Sequence, residues 1–231
     1  VTVRVAVIDS GWDRSLSDRR VLPGIGFAPP DDTDTDRIGH GTGCIDLILG
    51  SAPTVEILPV RVFGDRLETS PDMLARALDW AVTHGACVIN VSLGTLVDTS
   101  APLLYRACER ARRAGVMIVA AAGVAERAAY PAAFDNVVSV GFDPQVVGDA
   151  FVYRLGCAVE CIAPNTRRVV RWLGGRLQSV QGTSFGAPIV TAEVARLLID
   201  QPSASLADVR CYLQRRWGDA EAQSGIAPGS T

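Results

Sequence analysis

The chain has 231 residues, of which 48% are hydrophobic and 20% charged, and its net charge is -3. This is the balance of a globular protein with a sizeable core. It excludes a global basic field for nucleic acid, and no uninterrupted apolar stretch approaches the roughly 18 residues of a membrane span. All 22 basic residues are arginine, and the only histidines are His40 and His84, so histidine-dependent chemistry has two candidates.

In chain order, residues 3–8 predict a buried strand that runs into Asp9. His40, Gly41, Thr42 and Gly43 open an apolar helical run. Residues 55–63 read as a second strand, against which Pro59 counts. Ser70 followed by Pro71 predicts an N-cap and first helical turn. Met73, Leu74, Ala77, Leu78 and Ala81 then recur at helical spacing before Gly85. Residues 87–93, 116–122 and 137–141 are three further strands, and Ser100 precedes a helix ending near Gly115. Ser205 with Asp208 predicts a capped last helix running to about Arg216. Strands alternating with helices predict an α/β fold: a mostly parallel central sheet with helices on both faces. The near-continuous apolar strands agree with burial on both sides. One domain is expected over residues 1–217, with 218–231 as a flexible C-terminal tail.

The six cysteines show no CxxC and no zinc-type pairing with histidine. They are read as buried small hydrophobes in a reducing compartment, with disulfides left open. The chain enters its first strand from Val1 without a leader-like stretch. Together these give the expectation of a cytoplasmic protein.

Gly182, Thr183, Ser184, Phe185 and Gly186 match the G-x-S-x-G nucleophile elbow, between an apolar run and a helix. In α/β-hydrolases the histidine follows that serine, but here no histidine lies beyond residue 84. The order Asp9, His40, Ser184 is instead that of the subtilisin triad. Four blocks in order carry the resemblance: Val7-Ile8-Asp9-Ser10-Gly11, Gly39-His40-Gly41-Thr42, Asn90-Val91-Ser92-Leu93-Gly94, and Gly182-Thr183-Ser184-Phe185-Gly186-Ala187-Pro188. The chain resembles the subtilases, subtilisin-like serine peptidases, over nearly its whole length. The resemblance implies the subtilisin-like three-layer fold and cleavage of peptide or protein substrates through an acyl-enzyme, with no cofactor. His40 would be base and then acid, Asp9 would fix its tautomer, and Ser184 would be the nucleophile. The backbone N–H of Ser184, at a helix start, and Thr183 would face the oxyanion. Ser92, Leu93 and Gly94 would form one wall of the cleft and Ala121, Ala122 and Gly123 the other, pairing with an extended peptide.

The sequence departs from the family at three places. After Ala121-Ala122-Gly123 the family carries Asn, whose amide donates to the oxyanion; here Val124 stands there and cannot donate. Arg127 is near in sequence as a candidate replacement donor. The change leaves three readings open: a slow or tuned peptidase such as a peptide-maturation protease, an acyl-transfer or macrocyclase variant, or a pseudo-peptidase that only binds. Residues 49–54 are short and carry no acidic cluster where secreted relatives often bind calcium, so no metal is expected. Finally, Asp31, Asp32, Asp34 and Asp36 precede His40. They read as a solvated turn or as an acidic rim steering Arg-rich substrates.

Overall fold

The computed structural model describes residues 2–123 and 128–218. The strands are β1 (Arg4–Asp9), β2 (Ile25–Gly26), β3 (Glu56–Arg61), β4 (Val88–Val91), β5 (Met117–Ala121), β6 (Val138–Phe142), β7 (Val152–Tyr153), β8 (Cys161–Ala163), β9 (Arg168–Arg171) and β10 (Leu177–Val180). The helices are α1 (His40–Ser51), α2 (Pro71–Thr83), α3 (Ala101–Arg113), α4 (Thr183–Asp200) and α5 (Leu206–Trp217). The five strands and the helices expected from the sequence are present, their ends shifted by one to three residues. The short β2 and β7, the strand β8 and the β9–β10 hairpin are additional.

Eight strands form one sheet in the order β2-β3-β1-β4-β5-β6-β8-β7. It is parallel throughout except where β7 runs antiparallel to β8. Helices α1 and α4 cover one face, and α2 and α3 the other. The core is accordingly split in two by the sheet. Val5, Val7, Ile45, Ile48, Val119, Val190 and Val194 pack on the α1/α4 side. Ala6, Ile8, Leu74, Leu78, Ile89, Leu104 and Ile118 pack on the α2/α3 side. Consecutive strand residues therefore point to opposite faces, and both faces are dry.

Local chemistry explains the element ends. Ser70 accepts from the Met73 N–H with Pro71 in the first turn of α2, and Ser205 with Asp208 closes a capping box on α5. Pro59 lies inside β3 because its side of the strand faces the sheet edge. Ile57 and Arg61, two residues to either side, pair there with Arg20, Leu22 and Phe27, so the missing N–H falls where the neighbouring β2 is only two residues long.

Parallel order places the carboxyl ends of β1, β4 and β5 along one edge, where α/β sheets bind ligands. The turn after β1 is tight. Gly11 has φ 106°, and a Cβ there would stand 2.2 Å from the Asp34 carbonyl oxygen. Gly11→Ala is expected to cost at least about 2 kcal/mol from left-handed backbone plus that clash, read as a lowered urea midpoint.

Three of the four acidic residues before His40 are structural. Asp34 is buried, paired with Arg14 and accepting from the Gly24 N–H. Asp36 is buried and caps α1: its two oxygens accept from the N–H groups of Ile38, Gly39 and Thr42 and from the Thr42 hydroxyl. Asp31 pairs with Arg37 and Arg61. This corrects both readings of the run as a solvated turn and as a steering rim. Three of the four like charges are separated here by internal partners, and only Asp32 is exposed.

Cys44, Cys108 and Cys161 are buried and Cys87 is half-buried, as small hydrophobes would be, whereas Cys157 and Cys211 are exposed; all six are free. Of the expected tail, Gly218 pairs with Tyr153, and residues 219–231 lie outside the described residues. Among the described residues no helix is long and apolar enough to cross a membrane.

Candidate active site

Asp9 is the last residue of β1 and His40 the first of α1. Asp9 is fully buried, and both its oxygens meet His40 Nδ1, at 2.8 and 2.9 Å. Oδ1 also accepts from the Ser10 N–H at 2.7 Å, so the carboxylate is held while it holds the ring. Its position requires Nδ1 to carry a proton, which leaves Nε2 as the ring's other nitrogen. Burial alone would depress the His40 pKa. The charge of the Asp9 carboxylate and its hydrogen bond to the ring more than offset burial and hold the imidazole well above its ordinary 6.5.

Ser184 is the second residue of α4. Gly182 precedes the helix at φ 108°, a turn open to glycine. Ser184 and Thr183 therefore sit in the first turn, whose N–H groups lack intrahelical acceptors. Pro188 lies four residues after Ser184 and has no N–H for the Ser184 carbonyl. That freed carbonyl accepts from Ser92 Oγ at 2.8 Å. Ser92 Oγ in turn accepts from Asn90 Nδ2 at 2.9 Å, and Asn90 Oδ1 accepts from the Thr191 hydroxyl at 2.9 Å. Asn90 and Thr191 are fully buried. The relay locks the start of α4 to the end of β4.

Cys44, one turn after His40, sits beneath the site. Its sulfur lies 3.5 Å from the Ser184 carbonyl, 3.6 Å from Ser92 Oγ, 3.8 Å from Asp9 and 3.9 Å from His40 Nδ1. Burial, then the Asp9 carboxylate, raises its pKa, so it is a neutral thiol. The Phe185 ring lies 4.8 Å from the His40 ring, which sets His40 against the first turn of α4. Asp9, His40 and Cys44 are the one group among the described residues whose ligand atoms converge tightly enough for a metal. Nδ1 and both carboxylate oxygens are already engaged with each other. The connection from α1 to β3, residues 52–55, contains no carboxylate.

The residues expected as cleft walls lie at the strand ends. Ser92, Leu93 and Gly94 follow β4, but the Ser92 side chain turns under Ser184 instead of toward a peptide. Leu93 is half-buried and Gly94 exposed. Ala121 and Ala122 are buried and Gly123 is exposed. Beyond them Thr95 and Tyr130 exchange both backbone hydrogen bonds, at 2.8 and 2.9 Å, joining the two walls. Val124 and Arg127 lie outside the described residues. Sequence reasoning gave Asn90, Thr191 and Cys44 no part in the site beyond Asn90's place in a family block. The signal available was two polar residues inside apolar segments, each needing a partner.

These geometries agree with comparison to known proteins. Residues 2–225 match the model of the subtilase family of S8 peptidases. Subtilisin Savinase of Lederbergia lenta is 31% identical over 223 residues, covering 92% of this chain and 82% of its own. Subtilisin DY of Bacillus licheniformis is 29% identical over 223 residues, covering 90% and 81%. The crystal structure of a cold-adapted subtilisin-like serine proteinase superposes with a TM-score of 0.80 at 26% identity, covering 93% and 81%. With the subtilisin-like sheet and the motif order both in place, the chain belongs to the subtilase family of serine proteases.

Proposed function

We propose that this chain cleaves peptide bonds through an acyl-enzyme on Ser184. The observation that carries the reading is the buried Asp9 carboxylate with both oxygens on His40 Nδ1, beside the first turn of α4. Ser184 Oγ attacks the scissile carbonyl carbon as His40 Nε2 takes its proton. The C–N bond then breaks, and the departing amine takes that proton from His40. Water, deprotonated by His40, releases the acid and restores Ser184. Asp9 stabilises the imidazolium in each half. The Ser184 N–H and Thr183 face the oxyanion, and Val124 supplies no third donor. Loss of one such donor in a subtilisin costs about 10² to 10³ in kcat, so the enzyme is slow. Slow cleavage of few bonds suits a narrow role, such as trimming a peptide precursor.

The test is intact mass after incubation with a fluorophosphonate. A single adduct, absent from Ser184→Ala and His40→Ala, supports the activated serine. An unlabelled, folded parent favours a peptide-binding module instead. Added amine competing with water for the acyl group would move the reading to acyl transfer. Val124→Asn is expected to raise the labelling rate.

The raised His40 pKa gives a pH prediction. Only neutral His40 can take the proton, so activity rises with pH and reaches half its plateau above 6.5. Stability moves the other way. The His40–Asp9 pairing contributes fully below the unfolded pKa and is lost as pH rises through the folded one. Melting temperatures on the alkaline side should fall, and His40→Ala should remove that part of the slope.

A further inference from the structure

The loop of residues 128–137 carries Tyr130, which forms an isolated antiparallel bridge with Thr95 beside Gly94. At the cleft end the loop is tied by backbone: the Ala129 N–H donates to the Ala122 carbonyl at 2.9 Å. Beneath it is a cavity of about 600 Å³, with Ala128, Tyr130 and Phe134 on one side and Cys157 and Val159 on the other. Ala132 and Val137 anchor the loop in the core, and Tyr130 and Phe134 pack against that core from its edge. The loop's far end is tied from two helices. Asn136 Nδ2 donates to Glu109 of α3 at 3.4 Å, a long contact. Arg210 of α5 donates Nη2 to the Asp135 carbonyl at 2.8 Å and Nε to Glu160 Oε1 at 2.6 Å.

The Arg210 fork spans two segments. Glu160 precedes β8, and its N–H donates to Ser139 Oγ of β6 at 2.9 Å, which fixes the carboxylate to the sheet. Its second oxygen, Oε2, is buried without a hydrogen-bond partner. Arg210 is the cation paired with this mostly buried carboxylate. A planar guanidinium can bind the sheet-anchored carboxylate and the loop carbonyl at once, which a point charge cannot do with the same geometry.

We propose that Arg210 is a positioning residue for substrate binding: it struts the loop 128–137 against the sheet, so that Tyr130 keeps its register with Thr95 and the two cleft walls stay joined. This rests on the peptidase reading of the cleft. It assigns α5, which supplies no residue to the triad, a part in peptide affinity.

The test compares Arg210→Met, the double variant Arg210→Met with Glu160→Gln, and the parent. Arg210→Met is expected to raise KM for a cleaved peptide about tenfold with kcat changed less than threefold. It should also speed hydrogen exchange at the amides of Ala129, Tyr130, Ala133, Phe134 and Val137. The double variant removes the buried unpaired charge, so its melting temperature should recover while KM and exchange stay raised. A recovery of KM together with the melting temperature would overturn the proposal, because the effect would then be stability alone. So would unchanged KM or unchanged exchange in Arg210→Met. If the parent turns over no peptide and its Ser184→Ala variant binds none, the peptidase reading falls. Exchange at 129–137 then decides by itself whether Arg210 holds the loop.

Discussion

His40→Ala and Ser184→Ala are each expected to lower kcat by about 10⁶, the scale of loss found for the same residues in a subtilisin. The pair of variants should not add: the double variant should be about as slow as either single one, because base and nucleophile act as a unit. Asp9→Asn should cost less, about 10⁴, by favouring the wrong tautomer. The structural reason is the arrangement of Asp9 around Nδ1. An amide in place of the carboxylate presents an N–H to a ring nitrogen that is already a donor, and the ring turns or loses its proton there. Initial rates on a short ester substrate, with melting curves to show that each variant is folded, check the series. Additive losses would mean that Ser184 and His40 do not share one step.

Arg61→Met is expected to lower stability by about 3–5 kcal/mol, a fall of roughly 6–20 °C in melting temperature at this chain length. Arg61 ends β3 opposite Asp9 and is fully buried. Its guanidinium donates to the Thr33 carbonyl at 2.7 Å, the Asp31 carbonyl at 2.6 Å and Asp31 Oδ1 at 2.9 Å. It also reaches the carbonyls of Phe63 and Pro29, at 3.2 and 3.3 Å. Methionine fills similar length but leaves these acceptors dry and unpaired. Because the Asp31–Asp36 segment leads into the cap of α1, activity should fall along with stability, earlier than the global transition. A variant that melts at the parent temperature would show that water reaches those carbonyls.

The parts of the site readable from sequence were those that carry their own local grammar. Asp9 closes an apolar strand, His40 stands between glycines at a helix start, and Ser184 follows a glycine at another. Each is fixed by neighbours within a few positions. Residues whose partners are distant in the chain gave no such signal. Asn90 stood only as the first residue of a family block, yet it joins Thr191 across 101 positions. Asp36 looked like one of a run of like charges, yet it serves as a cap for α1. Glu160 and Arg210 lie 50 positions apart and neither belongs to a motif. The β9–β10 hairpin was missed because its strands, Arg168–Arg171 and Leu177–Val180, are four residues long with no apolar run or strict alternation, and they pair only with each other, away from the main sheet. Its Trp172 nonetheless packs on Gly39, next to His40.

The doubly covered parallel sheet has one more consequence, for the newly made protein. Asp9 and His40 are 31 positions apart, and Cys44 meets Ser184 across 140. The site's residues are far apart in the chain, joined through pairings that are slow to form because they close long loops. A ribosome-bound chain that has made β1 and α1 holds an aspartate and a histidine without a nucleophile. The serine arrives only with α4, whose seat is the face made by β4, β5, β6 and β8. A chain whose sheet is unfinished therefore lacks the seat that brings the start of α4 against His40 and Cys44.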